Sequence, residues 1–348
     1  MNMRRLILII GAMTAMLCIS CHQVEKWDND AEGNFDALWS ILDTHYCFFE
    51  EKGIDWDSVY RVYRPKVTAK TNVVELYAVC ADMLGELRDG HVNLTTPFAT
   101  SYYKKWWSDY PQNYNQRLVD EYYLHFGGLT RGGFTYGMFE DSVAYVRYPS
   151  FAYPPGEGTL DWMLALLSQS HAMIIDIRDN GGGDMTAVET IVRRFIDKRI
   201  LAGYISHKSG PGHNDFSEPY AYYFDPADEG RIRWQKPVVV LTNRSTFSAA
   251  NNFVSVVQYL PQFTLVGDRT GGGSGMPFNS EIPCGWAIRF SGSPVYDAQK
   301  KATETGIEPD VRVDLDLEAS LRGIDTMLDK AIEIAEQEGE KYKKEHHK

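Results

Sequence analysis

Three apolar runs in the second half of the chain constrain the fold most. HAMIID (171–176), KPVVVLT (236–242) and FTLVG (263–267) lack the polar alternation of a strand with one wet face. Strands of this kind must be buried on both faces, which is the condition of a parallel sheet covered by helices. Each run ends in turn-forming residues: RDNGGG after the first, NRS after the second and DRTGGG after the third. Helical patterns follow the first two, DMTAVETIVRRFID and SAANNFVSVVQYL. Alternating strand and helix predict an α/β core. DSVAYVRYPSF, WAIRFSGSPVYD and EPDVRVDL read as further strands and GTLDWMLALLSQS as a helix. LEASLRGIDTMLDKAIEIAEQEGEKY reads as one closing helix, followed by a solvated, frayed tail, KKEHHK.

The first half reads differently. From Asn34 to about Gly90 the spacing is helical: Phe35, Leu38, Trp39 and Leu42 share one face, DWDSVYRVYRPKV stops at Pro65, and TNVVELYAVCADMLGEL opens on Thr71 or Asn72 as cap. Residues 98–140, rich in Tyr, Trp and Gly, suit short hairpins or a flap over a groove. They are too few for an independently folding domain, so no complete PDZ domain is expected here. The extreme N-terminus is a targeting segment: a basic start at Arg4 and Arg5, a short apolar stretch, and LCISC. The expected division is a signal peptide at 1–20, a lipidated tether at 21–33, a helical subdomain at 34–97, a connecting region at 98–140 and a core at 141–345.

Composition narrows the partners. A formal net charge of −12 over 348 residues argues against nucleic acid, whose phosphates need clustered Lys and Arg. The five cysteines include no CxxC pair beyond the leader, and no HExxH, Walker or dinucleotide fingerprint occurs, so no metal or cofactor is implied.

Three segments can carry chemistry. NRSTFSAANN (243–252) puts Ser245 and Ser248 where a buried strand turns into a helix, with unpaired backbone N–H groups facing an incoming anion. Serine is also a common helix cap, and the stretch by itself favours that role. DIRDNGGG (176–183) has more glycine than a turn requires and can present amides at close range; Asp176 and Arg178 can pair. RDGH (88–91) ends in a histidine after a turn, a residue type suited to general-base work and more often structural.

DGH, DIRDNGGG, TFSAAN and VGDRTGGG, in that order, resemble the tricorn-core and C-terminal-processing serine peptidases over roughly residues 35–316. The resemblance implies a crotonase-like (ClpP/crotonase) α/β core preceded by a helical N-terminal subdomain. It implies Ser248 as nucleophile in preference to Ser245, with Ala249 and Gly182 or Gly183 as oxyanion donors. The processing branch's lysine base would fall at about Gly273, so a Ser-Lys dyad is excluded; the tricorn-like branch implies His91 as base. That branch also places a glutamate before a G-[IV]-x-P-D segment, here Gly306–Asp310. Glu304 is the nearest candidate, and the expected position is Thr303. Gly90 stands where that branch has a serine, and Asn251 where the processing branch has a glutamate. LCISC resembles a lipobox with Cys21 as the lipidated residue, and Cys18 departs from its aliphatic pattern. The expectation is a cofactor-free serine peptidase acting on proteins or peptides, exported and lipid-anchored in a bacterial cell envelope. The alternative is an inactive member that binds peptides or apolar ligands.

Overall fold

The computed structural model describes residues 27–139 and 143–346. The leader and Cys21 lie outside the described residues, as do Asp141 and His347.

Seven strands form the main sheet: β2 (Leu129–Arg131), β3 (Phe134–Phe139), β4 (Val143–Arg147), β5 (Ala172–Asp176), β8 (Val238–Thr242), β9 (Phe263–Gly267) and β12 (Val311–Arg312). Their order is β12-β9-β8-β5-β4-β3-β2, parallel from β12 to β4 and antiparallel at the β4-β3-β2 edge. The apolar runs are explained strand by strand. In β5, Met173 and Ile175 enter one core while Ala172 and Ile174 enter the other; in β8, Val238 and Val240 separate likewise from Val239 and Leu241. The first core is closed by α6 (Glu157–Leu166), α7 (Met185–Val192) and α8 (Ala249–Val257). The second is closed by the C-terminal helix α10 (Thr326–His346), through Met327, Leu328, Ala331 and Ala335.

A second sheet comprises β1 (Asn93–Thr95), β6 (Ile200–Ile205), β7 (Tyr220–Phe224), β10 (Gly275–Glu281) and β11 (Ala287–Tyr296), with β11 at its centre; of these strands only β11 was read from the sequence. The N-terminal helices α1 (Ala31–His45), α2 (Trp56–Tyr63) and α3 (Val73–Gly85) do not keep a core to themselves. Phe35, Leu38, Trp56 and Leu84 pack with Ile282, Trp286, Ile288 and Phe290 from and beside β10–β11. Asn72 begins α3 with a reciprocal capping box to Glu75. Residues 98–139 hold two short helices, α4 (Lys105–Ser108) and α5 (Gln116–Leu118), a five-residue π-helical turn, and β2–β3, which join the main sheet.

The closing helix differs from the expectation. It is two pieces, α9 (Leu317–Ser320) and α10, separated at Gly323, whose φ is +85°. Asp325 decides the second start. Its Oδ1 accepts from the amides of Met327 and Leu328, and its carboxylate also holds Arg178 (Nη1–Oδ2 2.8 Å). Arg178 pairs in turn with Asp176 at 2.6 Å, all three fully buried. The tail does not fray where expected: α10 continues to His346, whose ring stacks on Tyr342.

Candidate active site

Ser248 stands at the C-terminal edge of the main sheet, between β8 and α8. Thr246 fastens the connecting turn: its hydroxyl donates to the Ile177 carbonyl (3.0 Å) and accepts from the Asn243 amide (3.1 Å). The Ser245 amide donates to Asn243 Oδ1, which makes Ser245 part of this turn. Ser248 has φ +59° and ψ −122°, a conformation that costs a non-glycine residue about 1–3 kcal/mol. It heads α8, yet its side chain makes no capping bond. The hydroxyl lies instead 2.9 Å from His91 Nε2, across 157 residues of sequence.

His91 is held by the loop after α3. Asp89 Oδ1 accepts from the His91 amide at 2.8 Å, and the ring packs 4.8 Å from that of Phe247, itself stacked on Trp106 at 4.1 Å. The imidazole is 2% exposed. Burial lowers its pKa to about 4; Arg289 and Lys52 push the same way, and Asp89 opposes them. Nδ1 has no hydrogen-bond partner among the described residues.

Behind His91 lies a buried charge cluster. Asp89 Oδ2 accepts from Tyr46 Oη (3.0 Å) and lies 3.6 Å from Lys52 Nζ. Lys52 Nζ is 2.8 Å from Glu304 Oε1, and Glu304 Oε2 accepts from the Ser274 amide at 2.8 Å. Burial pushes Glu304 up from its ordinary value, against the pull of Lys52. Burial pushes Asp89 up too, but Lys52, His91 and the His91 amide more than cancel that and hold it low. Glu304 therefore bonds Lys52 and a backbone amide, and makes no hydrogen bond to His91 among the described residues. Thr303 is buried, and its carbonyl accepts from Asn251 Nδ2 (3.2 Å). Sequence reasoning missed Lys52 and Tyr46, which no motif marks; Asp89 was visible within Asp-Gly-His without a role.

The glycine turn meets Ser248 directly. Asn180 donates through Nδ2 to the Tyr148 carbonyl (2.7 Å), and its backbone carbonyl accepts from the Phe247 amide (3.0 Å). Gly182 and Gly183 have φ of +95° and +148°. A Cβ on Gly182 would fall 2.7 Å from Ser248 Cβ, so only glycine permits this approach. The Gly182 amide is taken by Asn180 Oδ1 at 2.9 Å. The amides of Gly183 and Ala249 have no acceptor among the described residues, and both residues line the cleft beside Ser248. That cleft has a volume of about 460 Å³ and is also walled by Met276, Arg289 and Val295.

The glycines at the other motifs are sterically set. A Cβ on Gly273 would come within 2.4 Å of the Phe247 ring, and one on Gly90 within 2.6 Å of Trp106 Nε1, so neither place has room for a larger side chain unless these aromatics move. Cys47, Cys80 and Cys284 are free thiols. Among the described residues no His, Cys, Asp or Glu group could hold a metal, and no helix is long and apolar enough to cross a membrane.

A model described as peptidase family S41 matches residues 142–313, and one described as the tricorn protease C1 domain matches residues 28–85. The crystal structure of a protein assigned as a peptidase from Parabacteroides merdae is 45% identical, with a TM-score of 0.84 over 88% of this chain and 97% of that one. A protein assigned as a tricorn-like protease C-terminal subunit, from Sulfurisphaera tokodaii, is 26% identical over 198 residues, 56% of this chain and 21% of its own. The chloroplastic C-terminal processing peptidase of Tetradesmus obliquus is 26% identical over 199 residues, 55% of this chain and 40% of its own. The chain thus spans well under two thirds of the length of either of these curated relatives.

Proposed function

The chain belongs to peptidase family S41, and from that premise we propose that it is a serine peptidase with Ser248 as nucleophile and His91 as general base. The observation that carries the reading is the 2.9 Å approach of Ser248 Oγ to His91 Nε2, made by a serine that heads a helix without capping it. A depressed pKa keeps the imidazole neutral at neutral pH, the form that can accept a proton.

In the proposed reaction Ser248 Oγ attacks the carbonyl carbon of a peptide bond while His91 Nε2 takes its proton. The developing oxyanion accepts from the amides of Ala249 and Gly183. His91 then protonates the leaving amine as the C–N bond breaks, giving an acyl-enzyme. Water, deprotonated by His91, attacks the ester and releases the acid and the free serine. The Asp89 carboxylate favours the transient imidazolium; it stays ionised beside Lys52. Glu304 acts at one remove, holding Lys52 and the Ser274 backbone on the cleft wall. No step requires a metal or cofactor.

Proteins or peptides are the substrate class, and the doubly covered parallel sheet is consistent with a crotonase-like core. Export and lipidation at Cys21 belong to the same proposal, on the strength of the leader sequence. A fluorophosphonate probe tests the activity: labelling of the wild type, absent in Ser248→Ala and strongly reduced in His91→Ala, supports it. A folded wild type that stays unlabelled between pH 6 and 9 would refute it, leaving the ligand-binding alternative. Mass-tagged palmitate uptake by the wild type but not by Cys21→Ser tests the anchor.

A further inference from the structure

We propose that Arg289 is a carboxylate anchor for substrate on the leaving-group side of the scissile bond. The inference rests on the peptidase reading above and adds what the cleft selects. Arg289 projects from β11, opposite Asn93 in register, and lines the same cleft as Ser248, Ala249 and Gly183. Its backbone is paired within the sheet, but among the described residues its guanidinium has no ion pair and no hydrogen bond. Burial pulls its pKa down, with only the Asp89 charge acting the other way. Asp89 is already committed to the His91 amide, Tyr46 and Lys52. The other charged residue on the cleft wall, Asp184, caps α7 through the Thr186 amide. A half-buried guanidinium without a partner is costly, and a carboxylate bound in its planar fork removes the cost.

The side of the cleft follows from His91. That ring delivers the proton to the leaving amine, and Arg289 pairs in register with Asn93, two residues after His91, which puts it on the His91 side of the cleft; its charge also acts on the ring. A carboxylate held by Arg289 therefore belongs to the residue just after the cut. It also cancels a charge that disfavours imidazolium, so the bound substrate makes its own base stronger. Two further polar atoms of wall residues, Ser274 Oγ and Asn252 Oδ1, have no hydrogen-bond partner among the described residues.

The carboxylate has two sources, a free C-terminus one residue past the cut or an acidic side chain there. The test uses one random N-acetyl-hexapeptide library, prepared as free acids and as C-terminal amides, with cuts mapped by mass spectrometry. The wild type should cleave the last peptide bond in the free acids about ten- to a hundredfold faster than in the amides. Cuts in the amides should concentrate before Asp or Glu if the side chain is the source. Arg289→Gln should bring both ratios near one, and Arg289→Lys, which keeps charge without the fork, should fall between. Ser248 labelling in the same preparations reports an intact site. Equal cleavage of all arms by the wild type, or a preference that survives in Arg289→Gln, overturns the anchor. Library binding to Ser248→Ala separates the two readings. Carboxylate-dependent binding lost in the Ser248→Ala/Arg289→Gln variant, with no turnover by the wild type, keeps the anchor and sinks the peptidase. Turnover without carboxylate preference does the reverse.

Discussion

Ser248 Oγ and His91 Nε2 lie 2.9 Å apart, although each residue is held by a different part of the molecule: the serine by the β8–α8 turn, the histidine by the loop after α3. Removing the base from such a pair costs about a hundredfold to ten-thousandfold in rate. His91→Ala should lose that much kcat/KM, with KM nearly unchanged because the ring binds no ground-state group. Steady-state kinetics on any cleaved peptide checks it; a fall carried by KM alone would assign the ring to binding.

The same ring gives a pH signature. With a folded pKa of about 4, the acid limb of kcat/KM should have its midpoint near pH 4 rather than near 6.5. The stability effect follows from the proton count. Between pH 4 and 6.5 the unfolded chain binds a proton at this position and the native state does not, so His91 makes stability rise with pH across that window. The gain is on the order of 3 kcal/mol, fully present above 6.5 and lost as pH falls toward 4. Urea unfolding of the wild type and His91→Gln from pH 4 to 7 should differ by this slope.

Lys52 stands between Asp89 and Glu304, at 3.6 and 2.8 Å, with all three side chains buried. Lys52→Met leaves two carboxylates facing each other without a cation and should cost about 3–5 kcal/mol. Adding Glu304→Gln removes one of those charges, so the double variant should recover part of the loss. A denaturant double-mutant cycle that is simply additive would show the pair to be uncoupled.

Gly182 leaves no space for a methyl group: its Cβ would lie 2.6 Å from the Phe247 carbonyl oxygen and 2.7 Å from Ser248 Cβ. Gly182→Ala should displace the nucleophile and slow fluorophosphonate labelling at least about tenfold. Its φ of +95° adds about 1–3 kcal/mol of strain, visible as a lower Tm. Labelling at the wild-type rate would show that the turn can yield.

The parallel strands and their helices were legible in the amino-acid pattern. Runs such as Met173–Ile174–Ile175 are apolar at every position because both faces of that sheet are dry, a local property that a single segment carries. That pattern also marked the turns at which Gly182 and Gly183 approach Ser248. It did not reveal β6, β7 and β10, whose surroundings are partly wet, or the break at Gly323. That break depends on Asp325 finding both a helix start and the distant Arg178. Within its own segment the role of each serine stayed open; the resemblance pointed to Ser248, and the fold adds the His91 contact that supports that reading. A helix cap and a nucleophile look alike in sequence, because the difference lies in whether a ring from 157 residues away reaches the hydroxyl. Lys52 is a lysine among glutamates until folding buries it with Asp89 and Glu304, and Arg289 a strand residue until the fold sets it on the cleft wall with no ion pair among the described residues. Charge pairing at a distance follows from burial, and burial is set by the whole fold.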